Sequence, residues 1–207
     1  MYDDDKWQAV TGSDIEPFLK AVNPIEGKHT ANAGSAKVEW RMLPFYTNIA
    51  LVRVDDTSWP KGQGPFWFLA KQGRMFHLNG SSAPIHEANE AGPVKVTEAN
   101  ALAYLEFFCY FVHGDEGPFL IVESLNHPAL DTAKMEAGTK KVIEGALQKA
   151  AFEGRSDQGA LLASAMVLYG NALFSARFSM QENGMIEMID DEPIAADLPV
   201  KKLKANY

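Results

Sequence analysis

Residues 161–192 read LLASAMVLYGNALFSARFSMQENGMIEMIDDE, and this stretch decides the fold. From Phe174 to Met180 apolar and polar residues alternate without a break, the period of a strand with one buried face. Asn183-Gly184 is the strongest short-range hairpin dipeptide. Pairing Glu182 with Met185 sets Phe178 opposite Ile189 and Arg177 opposite Asp190, an apolar pair and an ion pair on different faces. Upstream, Gly170-Asn171 reverses the chain between 161–169 and 172–181 and makes a meander; one long bent strand is the alternative.

Working outward, 66–71 and 74–79 flank Gln72-Gly73 as a second hairpin, with Leu69 opposite Phe76 and Trp67 opposite Leu78. Between the two hairpins lies the most apolar run, ALAYLEFFCYFV at 101–112. With Thr97 as cap and Glu98 at the positive end, it predicts a helix over about 98–112, buried nearly all round. Twelve residues are too few to span a membrane, which takes roughly 20. PFLIVE at 118–123 reads as a buried strand, and helical spacing returns between 131 and 150. Toward the N-terminus, Ser13 and Glu16 have capping-box spacing for a helix over 14–22, before a loop at 23–37. Residues 38–42 and 46–54 are β-rich, and 55–64 form a polar loop. The order predicts an α+β fold, a mostly antiparallel curved sheet packed around the 98–112 helix and ending in a C-terminal β-meander. The 207 residues suit a single domain, with 1–12 and 193–207 as extended or peripheral tails.

The formal charge is −8, from 19 Lys+Arg against 27 Asp+Glu, so no basic footprint for nucleic acid is expected. Cys109 is the only cysteine, which allows no intrachain disulfide; the acidic start of the chain reads as neither a secretory signal nor a membrane segment. A cytoplasmic location follows as the expectation. The run Asp3-Asp4-Asp5-Lys6 also matches what an expression tag leaves behind, and no function is placed on it. The phosphate-loop, dinucleotide, zincin and nucleophile-elbow motifs and C-x-x-C are all missing, and no cofactor is evident.

Four constellations carry candidate chemistry. His86 and Glu90 stand at i, i+4 on a short helix begun by Pro84, and with His77 from the preceding hairpin they form a candidate metal or acid–base group. Most such pairs are simply solvated helix faces. Glu106 is the one charge inside the apolar helix, a candidate acid or base unless it is solvated or paired with an arginine such as Arg53 or Arg177. Cys109 and His113 are also at i, i+4, but the negative helix C-terminus disfavours a thiolate there. The cluster Glu182, Glu187, Asp190, Asp191, Glu192 reads as a solvated strand edge rather than a Ca²⁺ or Mg²⁺ site.

Around the loop at 62–64, Trp59 and Trp67 are candidate ligand- or partner-binding aromatics, with His77 beside them. The expected function is therefore a non-catalytic module binding a small molecule or another protein. A metal-assisted hydrolase using His86 and Glu90, and a structural subunit of a complex, are the alternatives; a homo-oligomer is open.

Overall fold

The computed structural model describes residues 6–26, 30–61 and 63–201. The first five residues and the lysines Lys202 and Lys204 lie outside them. The fold is α+β with antiparallel sheets. Its contacts gather into two compact units, the described residues up to Pro93 and those from Val94 onward, where chain length alone suggested one domain.

In the first unit, strand β1 (Gln8–Ala9) precedes a 3₁₀ turn at Gly12–Asp14 and helix α1 (Ile15–Glu26). Strands β2 (Ala36–Met42), β3 (Ala50–Asp56), β4 (Phe66–Lys71) and β5 (Arg74–His77) follow, then helix α2 (Ala83–Ala91). The five strands pair in chain order, all antiparallel. Helix α1 runs past the expected end at Val22 and carries Pro24 inside it. The β4–β5 hairpin has the predicted register: Lys71 faces Arg74, Leu69 faces Phe76, and the Leu78 N–H donates to the Trp67 carbonyl. Gln72 and Gly73 both have positive φ, 40° and 82°, as a two-residue turn that follows strand twist requires. On one face of the sheet Val38, Val52, Val54, Phe66 and Phe68 pack against Leu19 and Val22 of α1.

The second unit opens with helix α3 (Ala101–Phe111), followed by strands β6 (His113–Gly114), β7 (Gly117–Pro118) and β8 (Leu120–Ile121). Helix α4 (Ala137–Ala146) and strands β9 (Ala151–Arg155), β10 (Leu161–Tyr169), β11 (Ala172–Met180) and β12 (Ile186–Ala195) complete it. Strand β10 is central: β11 takes one edge, while β8 and β9 share the other. Strands β10 to β12 form the meander, and Gly170 at φ 57° turns Tyr169 onto Ala172 as expected.

The Asn183-Gly184 turn differs in detail. Three residues, Glu182 to Gly184, form the loop, with Gly184 at φ 86° and the Gln181 N–H bonded to the Met185 carbonyl. Phe178 therefore meets Met188, and a bulge beyond it restores the expected Arg177–Asp190 pair. Apolar helix α3 is less enclosed than its composition suggested: Tyr104, Leu105 and Phe107 are buried, but Glu106 is exposed and Phe108 half-buried. Residues 193–201 are no peripheral tail. Leu198 is buried in a core with Leu130, Ile143, Met166 and Leu173, and Val200 bridges Leu130, because an apolar side chain there completes that cluster.

The β6–β7 hairpin offers a test of close packing. A Cβ on Gly114 would lie 2.3 Å from the Tyr169 hydroxyl. That hydroxyl accepts the Glu116 N–H at 3.0 Å, and the Tyr169 ring stacks on Phe119 at 4.5 Å. Gly114→Ala is expected to cost about 1–3 kcal/mol in urea unfolding, as overpacking does. Combined with Tyr169→Phe it should cost less than the sum of the two single changes; simple additivity would show that the hydroxyl is not the obstacle.

Candidate functional site

Alternation along β4 sorts the aromatic candidates. Phe66 and Phe68 point to the α1 side, and Trp67 and Leu69 to the other. Trp59 sits edge-on to Phe66 with ring centroids 4.9 Å apart, so it belongs to the α1 side. His77 is on the same side, its ring 5.9 Å from Phe66 and 5.1 Å from Phe68. Burial among these rings lowers its pKa and favours the neutral imidazole. Trp67 lies across the strand, against Trp7 at 5.8 Å. Trp59 and Trp67 therefore do not form one site.

Beside Trp59 the structure leaves an apolar recess lined by Val22, Asn23, Ala31, Val54, Trp59, Phe66 and Phe68. Its volume is about 10 Å³, room for about one water molecule. Three consecutive residues close it, each held by a different side chain. The Trp59 indole N–H donates to the Thr30 carbonyl at 3.1 Å. Asn23 grips Ala31 at two points, donating to its carbonyl at 3.0 Å and accepting its N–H at 2.9 Å. The Asn32 N–H donates to the Asp56 carboxylate at 2.7 Å. Trp59 is thus at once a wall of the recess and part of its closure.

Asp56 is only 3% exposed, and burial alone would raise its pKa. Hydrogen bonds from the Asn32 N–H, the Ser35 hydroxyl and both donors of Ser58 outweigh that and bring it down to about 2. Glu39 shows the same balance: burial raises its pKa, but Arg53 at 2.7 Å and Lys37 at 3.1 Å lower it further. On α2, buried Asn89 accepts the Tyr46 hydroxyl at 2.6 Å. Sequence reasoning passed over all three. Glu39 and Arg53 are direct cross-strand partners, legible once β2 and β3 are set in register, and Asp56-Thr57-Ser58 is a turn signal, with the Ser58 N–H bonded back to Asp56.

The expected metal group is not assembled. Among the described residues no three His, Cys, Asp or Glu side chains gather closely enough to hold an ion. Helix α2 turns Ile85, Ala88 and Asn89 inward, which leaves Glu90 exposed and His86 half-exposed, whereas His77 is packed between Phe66 and Phe68. Glu106 is exposed; Arg53 pairs with Glu39 at 2.7 Å, and Arg177 with Glu153 at 2.9 Å. Burial pushes the Cys109 thiol up to about 12, which removes the nucleophile from the Cys109–His113 pair. In β12, Glu187, Asp190, Asp191 and Glu192 lie exposed along an edge strand that also contains Pro193, the composition of a protected edge. No helix is long and apolar enough to cross a membrane among the described residues.

No protein-family model matches the chain, and no curated protein and no solved structure matches it.

The Asp56 carboxylate gives a pH test. Its folded pKa of about 2 lies below its ordinary 3.8, so its stabilisation is complete above about pH 4 and is lost as pH falls through about 2. Asp56→Asn is expected to cost about 2 kcal/mol at neutral pH, and the difference from the unaltered chain should shrink between pH 4 and pH 2. Urea unfolding across that range measures it. A difference independent of pH would mean that the carboxylate's charge is not what holds Asn32.

Proposed function

We propose that the chain is a non-catalytic binding module that takes a small apolar molecule beside Trp59. The observation that carries this reading is the recess between α1 and β4, whose walls are aliphatic and aromatic apart from an Asn23 amide already satisfied by Ala31. A ligand there gains its affinity from buried apolar area and ring contacts, with no charged group to recognise. Because the recess holds only about one water molecule, entry requires the Trp59 ring to move outward, which breaks its bond to Thr30. Binding and opening are thereby coupled in one side chain. The metal-assisted hydrolase is the weaker reading, since His77, His86 and Glu90 do not converge.

Toluene is a suitable probe, being apolar and compact. Titrated into the full chain and followed by NMR, it is expected to shift the methyl signals of Val22 and Val54 in a saturable way. Val22→Phe fills the recess from the helix side and should abolish those shifts at Val54. Absence of saturable shifts in the unaltered chain, or toluene binding that survives Val22→Phe unchanged, would remove the recess from the reading.

A further inference from the structure

The opposite face of β4 carries a second arrangement. Strand β2 has β3 on one edge and only the two-residue β1 on the other. Gln8 lies opposite Trp40 and Ala9 opposite Glu39, and the Val10 N–H donates to the Val38 carbonyl at 2.9 Å. Both β1 residues are exposed. Around them the side chains divide by face. Val10 packs with the cluster of Val38 and Val52. Trp7 goes to the other side, where the Arg53 guanidinium lies 4.4 Å from its ring centroid, Arg41 5.6 Å away and the Trp67 ring 5.8 Å. Glu39 fixes Arg53 in place from behind at 2.7 Å.

This is how an extended peptide is recognised by an added strand: main-chain bonds along an edge, and pockets for side chains on alternate faces. We propose that the outer edge of β2, with the platform of Arg41, Arg53 and Trp67, is a binding site for an extended peptide of a partner protein, which the chain's own Trp7 to Val10 fills in cis. The peptide it selects has an aromatic residue first and an aliphatic residue three positions later. The aromatic lies over two guanidinium groups, so the site favours an electron-rich ring, Trp above Tyr or Phe. Gly12 at φ 66° makes the bend that brings the segment back to the edge, so the segment can leave without α1 moving.

The probe is a fluorescein-labelled peptide of residues 6–12, KWQAVTG, added to the full chain and to its Trp7→Ala variant. The variant's own segment competes poorly, so it should bind the peptide at least about tenfold more tightly than the unaltered chain does. A peptide with alanine in place of its tryptophan should bind neither. Hydrogen exchange on the unaltered chain is the second readout and needs no variant to fold. The Val10 amide should exchange at least about a hundredfold faster than the amides shared by β2 and β3, because the segment opens on its own. Equal protection of those amides, or no peptide binding by the variant, overturns the proposal. So does a dimer in ultracentrifugation that disappears in Trp7→Ala, since the occupant would then be the segment of a second copy.

Discussion

Phe66, Trp67, Phe68 and Leu69 are all buried, at 2%, 9%, 0% and 0% exposure, so β4 has no solvent face. A run of four consecutive buried apolar residues must be covered on both sides, each large side chain contributing on the order of 1.5–3 kcal/mol when buried. That demand organises the first unit. Helix α1 supplies Leu19 and Val22 to the side of Phe66 and Phe68, while Trp7 supplies a ring to the side of Trp67. These two contributions come from the first 26 residues of the chain, and helix α2 adds its own contacts to β4 and β5. The two candidate sites are the places where each cover meets the strand.

The hairpins were the most legible part of the sequence, because alternation and turn chemistry act over a few residues. Gln72-Gly73 and Gly170-Asn171 each turn as their residues require, and the pairings on either side follow. Asn183-Gly184 shows where that logic ends. The same dipeptide serves a two-residue turn or the end of a three-residue loop; here it is the second, with the Tyr104 hydroxyl donating to the Gly184 carbonyl at 2.9 Å. A bulge then absorbs the extra residue, so the ion pair deduced from the simpler turn is found while the apolar pair shifts by one. Composition misled in α3, where one edge is open and Glu106 lies exposed on it.

The candidate sites were less legible because they are built from distant segments. Trp59 was conspicuous as an aromatic in a polar loop, but nothing local states that it closes over Asn23 and Ala31. His86 and Glu90 were conspicuous by spacing, and that spacing records only a shared outward direction, since the inward positions of α2 are taken by Ile85, Ala88 and Asn89. The separation of Trp59 from Trp67 was implicit in the period of two along β4. The charge partners of Arg53 and Arg177 required sheet register, which fixes Glu39 for the first and places Glu153 within reach of the second.

The two covers of β4 differ in how firmly they are attached. Helix α1 is held by a row of buried aliphatic contacts, and the segment that follows it is gripped at Thr30, Ala31 and Asn32 by three separate side chains, one of them a strongly acidic carboxylate. Opening that side breaks the Trp59–Thr30 bond while the grips on Ala31 and Asn32 hold the rest of the segment in place. The N-terminal cover rests on a two-residue strand, a short run of main-chain bonds and a ring over arginines. A single main-chain bond or a ring over a guanidinium is individually worth about 1 kcal/mol. Release of the segment leaves β2 paired with β3 and β3 with β4, and on the α1 side it withdraws Val10 from its cluster. Of the two faces, the one guarded by Trp7 is therefore the easier to uncover, and its selectivity resides in groups that stay fixed on the sheet when the cover leaves.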